Sequence, residues 1–289
     1  MYIRTFILSL SVTFLLYFPL QARPGKVYDG VSVMSFNVRE DAGARKDGTN
    51  SWELRWNCVV NMMADCKPDV AGLQEVSSFQ LAALKEYCNR YKFKGVGEED
   101  GKKKGEFVTL MYNPSVLSLV KWDVFWLNDV DPDKPVAAWD EKIPCAVSWA
   151  VFKSKKSGNR FLLLNLHLDR EATEARREGF RQIAAWLSDN NKEDLPVVLT
   201  GGFNMSPADE GFASLNALGY KDARVEADKK DDIRSYHGWG RKAVQLDYIL
   251  YKGFRLCPVF QTVTKKYPDE AGEPHFVSDH YPILTTLIF

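Results

Sequence analysis

The chain has 289 residues, 45% of them hydrophobic and 26% charged, which supplies a sizeable apolar core and excludes a disordered, low-complexity chain. Lysine plus arginine and aspartate plus glutamate each total 38, so the net charge is zero. Without a global basic field, a protein that gathers nucleic acid by charge alone is disfavoured.

In chain order, Arg4 precedes an uncharged apolar run over residues 5–22, and Leu20-Gln21-Ala22 offers small-residue cleavage chemistry ahead of Arg23-Pro24-Gly25. The pattern predicts a secretory signal over residues 1–22, followed by one domain over 23–289 in the periplasm or the medium. The run is also nearly long enough for an N-terminal membrane anchor, although Pro19 and the single preceding arginine favour cleavage.

Residues 31–36 alternate and predict a strand that ends at Asn37. Ser51 is placed to cap a helix with Trp52, Trp56, Val59, Val60 and Met63 on its apolar face, ending before Pro68. A second strand follows over 69–76, then a helix capped by Ser77 or Ser78 and running to about Tyr91. Strands are predicted over 91–96, 106–112, 116–126, 146–153 and 160–167, with a solvated lysine-rich hairpin tip at 98–105. The clearest helix spans 171–190, with Ala172, Ala175, Gly179, Ile183, Trp186 and Leu187 in one stripe. Strands over 196–200, 246–251, 254–260 and 283–288 complete a mixture that predicts two packed sheets with helices outside. The five cysteines have no motif spacing and read as buried thiols, with room for one disulfide.

Chemistry concentrates at the strand ends. Asn37, Glu75, His167, Asn204, Asp247 and the pair Asp279-His280 each stand at or just inside the end of an apolar run. Ionisable groups there are costly unless paired or bound to a ligand. Oxygen donors of the Glu and Asp type suit Mg²⁺ or Mn²⁺, and histidines suit proton transfer or contact with a phosphoryl oxygen. No Cys/His spacing fits structural zinc, and no Gly-x-Ser-x-Gly elbow supports a serine triad.

The motifs Ser35-Phe36-Asn37, Gly72-Leu73-Gln74-Glu75, Leu163-Leu164-Asn165-Leu166-His167, Gly201-Gly202-Phe203-Asn204, Leu246-Asp247-Tyr248-Ile249 and Ser278-Asp279-His280 occur in this order. Together they make residues 28–289 resemble the endonuclease/exonuclease/phosphatase superfamily. Asn37-Val38-Arg39, Ser51-Trp52-Glu53 and Phe125-Trp126-Leu127 further resemble a group of secreted bacterial members. The resemblance implies a four-layer α/β/β/α sandwich that acts as a monomer on a phosphate ester: nucleic acid, a phospholipid head group or a small phosphodiester or phosphorylated sugar. No obligate protein partner is evident in the sequence. Glu75 would hold Mg²⁺ or Mn²⁺ with Asn37 and Asp279 nearby. His280, oriented by Asp247, would be general base or phosphate ligand. His167, paired with Glu106, would act as acid or bind phosphate, and Asn204 would orient the water. Arg39, Tyr112, Asn165 and His237 stand as candidate substrate contacts.

One departure matters most. The family pattern Gly-Asp-Phe-Asn carries a carboxylate that helps position or deprotonate the attacking water, and here that position is Gly202. Positions 166, 170, 245 and 145, usually Thr, His, Arg and Arg in the related members, are Leu166, Arg170, Gln245 and Cys145. Two readings besides an active divergent hydrolase therefore stay open: an impaired relative that binds metal and a phosphorylated ligand, and a non-enzymatic binding or scaffold protein. If catalysis is only weakened, Gly202→Asp is expected to raise activity.

Overall fold

The structure, a computed structural model, describes residues 29–41 and 44–289, and the predicted export segment lies outside them. The strands are β1 (Gly30–Asn37), β2 (Val70–Val76), β3 (Lys92–Lys94), β4 (Phe107–Tyr112), β5 (Leu117–Leu127), β6 (Cys145–Ser154), β7 (Arg160–His167), β8 (Val197–Gly202), β9 (Lys221–Asp222), β10 (Asp247–Lys252), β11 (Leu256–Thr262), β12 (Tyr267–Pro268), β13 (Pro274–His275) and β14 (Ile283–Ile288). The helices are α1 (Ala44–Asp47), α2 (Trp52–Cys66), α3 (Ser78–Tyr87), α4 (Thr173–Asn190), α5 (Glu210–Ala217) and α6 (Ala223–Glu226).

One six-stranded sheet has the order β11-β14-β1-β2-β4-β3 and the other β5-β6-β7-β8-β10-β9. Within them β1–β2 and β7–β8 are parallel, so the C-terminal ends of four strands point the same way in pairs. α2 and α3 cover the first sheet, with Trp52, Val59, Met63 and Leu84 packed against Phe36, Leu73 and Met111. α4 and α5 cover the second, with Phe180, Ile183 and Phe212 against Leu164, Leu199 and Phe203. Val33, Val70, Leu110, Phe152, Leu163, Val198 and Ile249 fill the space between the sheets. This is the four-layer sandwich that the sequence resemblance implies. Burying each such side chain is worth about 1.5–3 kcal/mol against the entropy of ordering the chain.

Toward the ends of β2, β7 and β8 the inter-sheet layer turns polar. Gln74 Nε2 donates to Asn165 Oδ1 at 2.7 Å, Asn165 Nδ2 donates to Leu73 O at 2.9 Å, and Thr200 Oγ1 donates to Asn165 Oδ1 at 3.0 Å. Most of the belt's amide groups find partners across the gap, although Gln74 Oε1 has none among the described residues. Gly72 makes room for it: a Cβ there would fall 2.0 Å from Thr200 Oγ1 and 2.2 Å from Asn165 Oδ1.

Some local expectations shift. α3 stops at Tyr87, short of Tyr91, although its start carries the full capping box between Ser77 and Gln80. The start of α4 has no capping side chain of its own; Asp140, from a distant loop, accepts from the Glu174 and Ala175 amides at 3.2 and 2.8 Å. α5 and the β12–β13 hairpin are too short for periodicity to announce them. All five cysteines are free thiols. Among the described residues no helix is long and apolar enough to cross a membrane.

Candidate functional site

Both sheets deliver polar side chains to one cleft of about 320 Å³. On the first sheet, β1 ends at Asn37 and β2 carries Glu75, where the pairing with β4 shifts register between Leu73 and Val76. A bulge of this kind re-aims a side chain that regular pleating would send elsewhere. Glu75 accordingly has φ of +54°. Asn37 Nδ2 donates to Glu75 Oε1 at 2.7 Å, while the Arg39 amide donates to Asn37 Oδ1 at 2.9 Å. The Arg39 guanidinium stands 3.7 Å from Glu75 and 3.3 Å from Asp47.

On the second sheet the register places His167, Gly202 and Asp247 side by side, His167 opposite Gly202 on β7–β8 and Asp247 opposite Gly202 on β10–β8. Asp247 Oδ2 lies 2.6 Å from His280 Nδ1, both groups buried. Asn204 Nδ2 donates to Leu168 O at 2.6 Å and lies 3.3 Å from His167 Nε2. His167 Nε2 is 3.5 Å from Glu75 Oε1, so the two sheets meet through this pair. Asn204 and Arg39 also have left-handed φ, +52° and +64°. Three such non-glycine residues around one cleft hold about 1–3 kcal/mol of backbone strain each, which the surrounding packing must outweigh.

The charges are sorted. Burial opposes the Glu75 carboxylate, but His167, His280, the Asn37 N–H and Arg39 together hold it down at about 2. Burial also opposes the His280 cation, and the adjoining Asp247 overcomes it, raising His280 to about 9. His167, where burial outweighs Glu75, is lowered below its ordinary value. Burial and the crowding carboxyls of Glu75 and Glu98 push Glu106 up from its ordinary value, to about 9. Its Oε2 is 4.0 Å from His167 Nδ1, a looser pairing than the resemblance implies.

Nine sequence-identified residues thus meet at the cleft: Asn37, Arg39, Glu75, Glu106, His167, Asn204, Asp247, Asp279 and His280, with Asn37 and Asp247 supporting from behind. Three candidate substrate contacts do not join them. Tyr112 is buried in the inter-sheet core against Phe152, at the end of β4 that pairs with Val70 rather than Val76. Asn165 is the fully buried hub of the polar belt. His237 is buried and stacked on Tyr281 at 3.9 Å, its Nδ1 accepting from the Gly240 amide. Each has the right residue type near a motif, but its side chain is already used in packing.

The sequence reading missed Glu40 and Glu98, which line the cleft, and Arg55, which lies behind it. Arg55 is fully buried, donating to Asn50 O, Val38 O, Val277 O and Arg39 O at 2.7–3.0 Å. An arginine in the register of Trp52 and Val59, on an otherwise apolar helix face, was the available signal. Burial raises Glu98 to about 8 from 4.5, so its neutral form is favoured by folding. The stability this lends is present in full below about pH 4.5 and is lost as pH rises through about 8. Urea titrations across that window should show wild-type stability falling by on the order of 3 kcal/mol more than that of Glu98→Gln. Parallel curves for the two proteins would refute the assignment.

The donor set fits a hard divalent cation. Glu75 is ionised and faces the cleft, with the Asn37 amide and the Asp279 carboxyl as further oxygen donors. Among the described residues no three His, Cys, Asp or Glu side chains form a preassembled cage. Mg²⁺-type sites commonly rely on one or two carboxylates, completed by water and substrate phosphate.

The chain as a whole is similar to known proteins. Residues 34–280 match the profile of the Endonuclease/Exonuclease/phosphatase family. The fold is similar to an endonuclease/exonuclease/phosphatase family protein from Bacteroides thetaiotaomicron, 27% identical, with a TM-score of 0.84 over 91% of this chain and 99% of that one. A mannosyl-6-phosphatase of the same organism is 28% identical, with a TM-score of 0.83 over 90% and 100% of the two chains. D. rerio TDP2, in complex with a single-stranded DNA product, is 19% identical with a TM-score of 0.69 over 89% and 98%, a likeness of fold alone.

Proposed function

This chain belongs to the Endonuclease/Exonuclease/phosphatase family, and on that premise we propose that it is an exported, Mg²⁺- or Mn²⁺-dependent phosphatase of small, hydroxyl-rich phosphomonoesters. The observation that carries the proposal is the buried Asp247–His280 pair at 2.6 Å, set in the same cleft as the ionised Glu75. Asp247 holds His280 in orientation and in its charged form, so the imidazolium N–H is suited to a phosphoryl oxygen. Glu75, Asn37 and Asp279 would hold the divalent ion, which when bound supplies neutralisation of phosphate charge. The Asn204 amide, anchored on Leu168 O, stands beside His167 where an attacking water would be oriented.

The leaving-group side favours a neutral polyol. Glu40, Glu98 and Glu106 line one wall, and Asp169 and Glu171 lie on the rim beside Arg170. A long polyanion meets the rim carboxylates Asp169 and Glu171, whereas sugar hydroxyls can exchange hydrogen bonds with the carboxyls of the wall. The mannosyl-6-phosphatase activity of a structural relative supports the same substrate class. Export rests on the apolar segment over residues 5–22; cell fractionation tests it, and recovery of the full-length chain in the cytosol would overturn it.

The activity test is phosphate release with Mn²⁺ or Mg²⁺ from hexose 6-phosphates and p-nitrophenyl phosphate, against bis-p-nitrophenyl phosphate and single-stranded DNA. Monoesters are expected to be hydrolysed at least about tenfold faster in kcat/KM, a difference of about 1.4 kcal/mol in transition-state binding. Faster cleavage of DNA or of the diester would overturn the substrate class. Absence of metal-dependent hydrolysis on all four would overturn the enzyme assignment and favour a ligand-binding protein.

A further inference from the structure

We infer that Gly202 is the seat of the His167 imidazole, so that the glycine positions a catalytic side chain instead of merely marking a lost carboxylate. An ideal Cβ at residue 202 would lie 2.8 Å from His167 Cδ2 and 3.3 Å from His167 Nε2. Contacts that short between real atoms force one partner to move. The backbone is not the reason for a glycine, because residue 202 is an ordinary strand position without positive φ. The register explains the contact: His167 and Gly202 are direct cross-strand neighbours, whose Cβ atoms would be about 5 Å apart, and the ring leans across the gap that the glycine leaves.

Seated there, His167 Nε2 stands 3.5 Å from Glu75 Oε1 and 3.3 Å from Asn204 Nδ2, between the cation-binding carboxylate and the water-orienting amide. The other flank of the seat is Asp247, whose Oδ1 is 3.5 Å from the same Cβ position and is buried without a hydrogen-bond partner among the described residues. An aspartate at 202 would therefore displace the imidazole and crowd a second carboxylate against Asp247. This inference predicts the opposite of the expectation from sequence that, if catalysis is only weakened, Gly202→Asp raises activity.

The catalytic consequence rests on the phosphatase assignment above; the geometric one does not. The test is a double-mutant cycle of Gly202→Ala in wild-type and His167→Ala backgrounds, read by thermal unfolding and by kcat and KM for p-nitrophenyl phosphate with Mn²⁺. In the wild-type background Gly202→Ala should lower Tm by about 3 °C or more and kcat by about tenfold or more, with KM little changed. In the His167→Ala background both effects should shrink, to about 1 °C and less than twofold, because the ring that the methyl group meets is gone. Gly202→Asp should be no more active than Gly202→Ala. Equal Tm losses in both backgrounds, or a gain in kcat for Gly202→Asp, would overturn the inference. An inactive wild type would refute the phosphatase assignment, while the Tm cycle still decides the seat.

Discussion

Asp247→Asn is expected to lower kcat for a phosphomonoester by about 10²–10⁴-fold, the usual cost of disabling a positioned proton-carrying group. The change is nearly isosteric, so its effect comes from charge. Asp247 Oδ2 and His280 Nδ1 are 2.6 Å apart and both side chains are almost wholly shielded from water. Burial acts against the imidazolium, and the Asp247 carboxylate, with Asp279 and Glu75 adding to it, raises it to about 9. An asparagine oxygen can still accept the Nδ1–H, but the foremost compensating charge is gone, and burial then shifts the ring toward its neutral form. His280 would then meet the phosphate as a neutral ring. Initial rates with p-nitrophenyl phosphate should show the loss in kcat with KM within about threefold, since the substrate's other contacts are untouched. A kcat within fivefold of wild type would remove this pair from the chemistry.

Arg55→Met should cost stability more than any surface change, about 3–5 kcal/mol. Its fork satisfies four carbonyls, Val38 and Arg39 after β1, Asn50 before α2, and Val277 before the Asp279-His280 pair. Burial strips its hydration and lowers it to about 10, so it remains a cation at neutral pH. Methionine fills the volume between Trp52 and Trp239, whose rings lie 5.1 and 5.8 Å from the guanidinium, but leaves the carbonyls unpaired. For a domain of this size the loss corresponds to a Tm lower by roughly 10 °C. Arg55→Lys keeps the charge without the fork and should fall between the two. A Tm within 2 °C of wild type for Arg55→Met would show that the segments carrying these four carbonyls are held by other means.

The strands were legible because their chemistry is local. β7 over Arg160–His167 and β14 over Ile283–Ile288 match their expected bounds, being β-rich runs between clear turn residues. The strand-end polar residues were legible for the same reason: Glu75 and Asp247 interrupt apolar runs, and such interruptions need an explanation. What could not be read was which of two uses a polar group has. Asn165 and Asn204 look alike in sequence, yet one is sealed in the belt between the sheets and the other reaches the cleft. Distinguishing them requires the inter-sheet register, set by contacts such as Gly72 against Thr200 that lie far apart in the chain. Gly202 shows the same limit. A missing carboxylate is visible in the motif, whereas an imidazole leaning into its place is not.

The position of β14 has a consequence for how the molecule comes into being. The last strand of the chain lies inside the first sheet, between β11 and β1, and pairs with β1 from Gly30↔Ile288 to Ser35↔Ile283. Until residues 283–288 have left the ribosome, β1 offers an open hydrogen-bonding edge and Asp279-His280 has no strand to anchor it. Assembly of the cleft is therefore a late event governed by a contact spanning nearly the whole sequence, the kind that makes folding slow. Until residues 283–288 are available, that edge is open to pairing with a neighbouring chain.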